Sequence, residues 1–83
     1  MKKTRKANDR NVIGARVREA RLKLNPPVSQ EDLAGRLAAR GIQMDRSAVS
    51  RIESLTRYVM DYEAKAIARA LKVSVGWLFG DAA

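Results

Sequence analysis

Residues 29–53 read SQEDLAGRLAARGIQMDRSAVSRIE, two capped helical segments joined by a glycine-containing connection. Ser29 followed three residues later by Asp32 has the spacing of a capping box, with the shorter acid in place of Glu. Behind it Leu33, Ala34, Leu37 and Ala38 recur at the spacing of one helix face. Gly41 suits the end of this segment, because glycine accepts the left-handed backbone that helix C-termini favour. Asp45 can then accept from the free amides of the next first turn. Val49 and Ile52, with Ala48 and Leu55 beside them, give that third helix an inward side. At about 100° per residue, Arg46, Ser47, Ser50, Arg51 and Ser54 fall on its outer half.

Working outward, the same periodicity continues in both directions. Upstream, Ile13, Val17, Ala20 and Leu24 recur at helical spacing with Arg16, Arg18 and Lys23 between them, and Asp9 or Asn11 can cap this first helix. Asn25-Pro26-Pro27 stops it, since proline removes a donor and pushes the preceding residue out of helical geometry. Downstream, a fourth helix runs from about Asp61 with Ala64, Ile67, Ala68 and Leu71 on one face. Ser74 caps a short final helix holding Val75, Trp77, Leu78 and Phe79, and Gly80 closes it. No strand-like alternation, internal repeat or interdomain linker interrupts the pattern. The expectation is an all-α fold, a compact four- to five-helix bundle over residues 11–80, with a basic arm at 1–10 and a short tail at 81–83.

The chain has 83 residues, enough for one small core of modest stability. It carries 17 Lys and Arg against 9 Asp and Glu, a net charge of +8. Lys2, Lys3, Arg5, Lys6 and Arg10 against the single acid Asp9 put half of that excess in the first ten residues. Such a stretch has little to bury and reads as a disordered arm. No apolar run follows it, so it is not a signal peptide. A basic domain with a basic arm fits a polyanion, whose counterions are released on binding. A solubility-promoting tail and an anionic membrane surface are the rival readings. With no Cys and no His, disulfides, thiolate metal sites and the commonest general base are absent. The acids are scattered, with no paired carboxylates in a cleft pattern, so no enzyme, metal or cofactor is expected. The apolar runs fall well short of the roughly 20 residues of a membrane span.

Two arginines flanked by small hydroxyls suit close docking on double-stranded DNA. Arg can bond guanine O6 and N7 together, Ser can serve several partners, and small residues let a helix approach the groove floor. An ordinary solvated face is the competing account. The arrangement of a capped helix, a Gly-containing connection and a second capped helix describes a helix-turn-helix and tips the balance.

From Ile13 to Gly80 the chain resembles the Cro/repressor-type (XRE, lambda-repressor-like) helix-turn-helix family of bacteria and their phages. The matching strings are IGARVREARL (13–22), SQEDLAGRL (29–37), DRSAVSRIE (45–53) and IARALKVSVGWLFG (67–80). The resemblance implies a bundle in which the second and third helices form the DNA-reading pair. It implies a transcriptional regulator, a repressor by preference, working in the bacterial cytoplasm. Arg46, Ser47 and Arg51 stand where the family places base contacts, with Ser50 on the same face. Gln30 resembles the family's phosphate brace, and Arg57 and Tyr58 fall at its phosphate contacts. Lys2, Lys3, Arg5 and Lys6 become candidate arm contacts. Glu53 reads instead as a structural partner of Arg21, as the family often pairs these positions. Val75, Trp77 and Phe79 stand where relatives pair two-fold, so a homodimer is one expectation and a monomer with an arm the other.

One departure concerns the connection. Seven residues separate Leu37 from Asp45, where the usual form has two. Some family members resemble this longer form, with the second helix extended about one turn. Ile42 and Met44 are expected to fold back as a lid, or else to form an exposed contact, and Arg40 at the tip reads as solvated. Trp77 reads first as a core anchor, and Tyr62, Glu63 and Lys65 as solvated surface. The functional alternative is a protein-interaction module of the same fold, an antitoxin or accessory factor, with an apolar patch near Ile42, Met44 or Trp77. No small-molecule pocket can be argued from the sequence. The chain reads equally as a complete protein or as the DNA-binding part of a longer one.

Overall fold

Ser29 and Asp32 form the reciprocal pair their spacing implied. The Ser29 hydroxyl accepts from the Asp32 amide at 2.9 Å, and the Asp32 carboxylate accepts from the Ser29 amide at 3.4 Å. Asp45 accepts from the Ala48 amide at 2.8 Å, and Ser74 from the Trp77 amide at 2.9 Å. These caps start three of the helices in a computed structural model of the chain, which describes residues 11–81. The arm contacts at Lys2, Lys3, Arg5 and Lys6, the cap at Asp9 and the end of the tail lie outside the described residues.

Five helices and no strands form among the described residues: α1 (Gly14–Lys23), α2 (Gln30–Ala38), α3 (Arg46–Glu53), α4 (Asp61–Ala70) and α5 (Val75–Leu78). The chain is thus a small all-α bundle. α3 packs between α1 and α2, α4 closes against α2, and α5 folds onto α4. Ile13, Val17, Leu33, Leu37, Val49, Ile52, Ile67, Leu71 and Leu78 are fully buried at the centre. Each contributes about 1.5–3 kcal/mol by leaving water. No described helix is long and apolar enough to cross a membrane.

Two expectations about α2 need correction. Ala38 is exposed and does not join the buried face of Leu33 and Leu37, because the helix leaves the core at its last residue. Nor does α2 gain a further regular turn. After the Ala39 cap the chain tightens: Arg40 and Gly41 donate to the carbonyls of Leu37 and Ala38, and Ile42 reaches back to Leu37 at 2.9 Å. Gly41 makes this stop with φ of +85°. The remaining residues run to Asp45, with Met44 buried at 6% and Ile42 packed against the core. Met44 is therefore no exposed patch. Arg40 stands in solvent.

The start of α1 is fixed by Asn11. Its side-chain oxygen accepts from the amides of Ile13 and Gly14, and its Nδ2 donates to the carbonyls of Ile52 at 2.8 Å and Arg57 at 3.0 Å. Ile13 holds the cap position, and Asn11, two residues ahead of it, satisfies the amides there while holding the end of another helix; only 3% of its surface is exposed. Gly14 lets the two meet at backbone distance, since a Cβ there would strike the Ile52 carbonyl oxygen and the Leu55 side chain.

Candidate nucleic-acid interface

α3 is held from behind and open in front. Ala48, Val49 and Ile52 are buried, while Arg46, Ser47, Arg51 and Ser54 are exposed and Ser50 is half-buried. Among the described residues the side chains of Arg46, Ser47 and Arg51 make no hydrogen bond or ion pair with the rest of the chain. Other arginines are engaged. Arg36 donates to the Ala70 carbonyl, Arg21 to Glu53 and Val28, and Arg57 to Glu63. The end of the helix is tied by its own hydroxyls, with Ser54 and Thr56 both donating to the Arg51 carbonyl.

The orientation of this face is set by a carboxylate. Arg21 of α1 grips Glu53 with two bonds, Nε to Oε2 at 2.8 Å and Nη2 to Oε1 at 2.9 Å, and its Nη1 donates to the Val28 carbonyl. Gln30 of α2 adds a third bond to Glu53, Nε2 to Oε1 at 3.1 Å. The hydrogen bond that Arg21 donates to Glu53 is the largest influence on its pKa and raises it, burial lowers it, and the net direction is upward. The one acid of α3 is therefore neutralised on the inner side. Gln30 keeps its carbonyl oxygen and one further N–H at the rim, beside the first turn of α2.

Arg57 and Tyr58 follow α3, and the structure gives them different surroundings. Tyr58 is exposed at 49%. Arg57 is half-buried and committed to its own chain, with Nη1 and Nη2 donating to Glu63 at 3.0 and 3.2 Å and Nη1 also to the Tyr58 carbonyl. Glu63 is accordingly not solvated surface. It is buried, and its Oε1 also accepts from the Met60 amide at 2.9 Å, closing the first turn of α4. Burial pushes this carboxyl up, but the Arg57 guanidinium and the Met60 amide outweigh that and hold it below its ordinary value. The hydrogen bonds from Arg57 to Glu63 raise the guanidinium pKa in turn. Tyr62 and Lys65 remain exposed as expected.

Sequence reasoning passed over one feature of this neighbourhood. Tyr58, Met60 and Tyr62 are large, exposed and close in the chain, and with Thr56, Arg57 and Glu63 they line an open hollow. Their alternate spacing across the loop into the first turn of α4 was the available signal. At the far end of the molecule Val75 and Phe79 are exposed at 43% and 49%, while Trp77 is half-buried against the core. Among the described residues no group of three or more His, Cys, Asp or Glu gathers as a metal site. Comparison with known proteins finds no matching family model, no matching curated protein and no matching solved structure.

Proposed function

We propose that the chain is a sequence-specific DNA-binding regulator of the helix-turn-helix kind, a repressor that occupies its operator by inserting α3 into the major groove. The supporting observation is the outward row of Arg46, Ser47 and Arg51, unengaged among the described residues on a helix clamped on its other side. In this reading Arg46, Ser47, Ser50 and Arg51 face base edges. Gln30 and Tyr58 address phosphates, and Arg57 does so only with the N–H groups Glu63 leaves over. Lys2, Lys3, Arg5 and Lys6 add contacts to the backbone. The setting is bacterial cytoplasm, and the role is binding, without catalysis.

Selection of bound sequences from a random duplex pool tests this. Enrichment of a short motif supports it, and a palindromic motif with half-sites about 34 Å apart supports a dimer through Val75 and Phe79, with Trp77 behind them. A pool that shows no enrichment overturns it. The exposed Tyr58, Met60 and Tyr62 favour one second reading, a protein-interaction module of the same fold with secondary DNA binding. That reading requires a tight protein complex whose affinity falls when Tyr62 is replaced and is indifferent to Arg51.

A further inference from the structure

A second hollow lies between the end of α1 and the turn joining α4 to α5, and no α3 residue lines it. Its volume is about 420 Å³, within the roughly 300–1,000 Å³ of small-molecule sites. Leu24, Leu71, Val73 and Trp77 supply apolar walls, Lys23 and Lys72 supply charge, and no acid is among the lining residues.

Lys23 and Lys72 are exposed, and two cations stand beside the indole at the edge of the cleft. The Arg16 guanidinium stands 4.4 Å from the centroid of the Trp77 ring and the Lys23 Nζ 6.0 Å from it. Lys23 pairs with Glu19 at 3.1 Å, both side chains largely in solvent, and such a pair holds its lysine weakly enough to be redirected. Lys72 occupies a left-handed position with φ of +62°. Its amide and that of Val73 bond back to the Arg69 and Ala68 carbonyls, so the turn fixes the backbone there. Gly or Asn is the low-strain choice at such a helix end. The negative end of α4 accounts for a cation in this region, but not for placing it on the strained residue beside an apolar wall.

We propose that this cleft binds a small organic acid with an aromatic or short aliphatic body. The body lies against Trp77 and Leu24, and the carboxylate faces the ammonium groups of Lys23 and Lys72. The site is independent of the DNA reading, because none of its walls comes from α3.

Trp77 is the only tryptophan in the sequence, so its emission reports on the cleft. The full chain is titrated at low salt with 4-phenylbutyrate and, separately, with the neutral 4-phenylbutanamide. The expected result is a saturable change in emission with the acid and binding of the amide weaker by about tenfold. The Lys23→Gln/Lys72→Asn double variant, whose Asn suits the left-handed backbone, loses about the same factor for the acid and none for the amide. No saturation, equal binding of acid and amide by the parent chain, or an emission change that follows protein concentration in place of the acid each overturns the proposal. The last would mark the cleft as a contact between copies of the chain.

Discussion

Both ends of the Asn11 side-chain amide are occupied, by two amides at the start of α1 and by two carbonyls, one in the last turn of α3 and one just after it. Replacing it with Ala leaves these buried groups short of partners, and we expect a loss of about 2–4 kcal/mol in urea unfolding. Arg51 should behave oppositely. Arg51→Ala removes an exposed side chain, so stability stays within about 0.5 kcal/mol. Affinity for the selected DNA falls by about 1–3 kcal/mol, with discrimination relaxed at one or two base pairs. Equal loss on random DNA would remove Arg51 from the base contacts. That Asn11 serves amides at the start of α1 was legible from its residue type and its place before an apolar helix face, although the cap position itself falls on Ile13. Its hold on Ile52 and Arg57 was not, since nothing local marks a contact more than forty residues away. Glu63 was misread for a related reason: it stands three residues after Met60, and a capping acid without Ser or Thr at the cap position carries no visible signature.

At the scale of elements, the caps and apolar faces were readable because each needs only three to eight neighbouring residues. Ser29, Asp45 and Ser74 all cap as their spacing implied. The end of α2 was less readable, because whether the chain continues as helix or tightens depends on where Ile42 and Met44 find the core. The segment from α3 into α4 is shaped by the Arg57–Glu63 pair, and this makes a prediction about pH. Because Glu63 is held below its ordinary value, its contribution to stability is complete above the unfolded carboxyl pKa of about 4.3 and is lost as pH falls through the folded value beneath it. Arg57→Gln releases that hold. The variant should be less stable than the parent at pH 7, and the gap in thermal midpoint should narrow as the pH is taken from about 5 to below 4. A gap independent of pH would mean that Arg57 acts through packing alone.

For the whole molecule, charge was the plainest signal, and it divides evenly between the first ten residues and the remainder. If the arm shares the DNA with α3, deleting residues 1–10 should weaken specific and random DNA alike. The slope of log affinity against log salt should shrink by as much as about 4. An unchanged slope would leave the arm off the duplex. The all-α architecture could be read from the sequence, because every segment repeats the same period and nothing competes with it. The cleft beside Trp77 could not, since residues 20–24 and 71–77 share no motif and meet only when α1 and α5 close on each other. The Asn11 clamp has a practical corollary. Asn11 bonds the Ile52 and Arg57 carbonyls, so a label fused directly to residue 11 after removal of residues 1–10 would sit at the last turn of α3, on the flank that the proposed reading gives to a duplex. Labels meant to report binding without obstructing it belong at the other terminus.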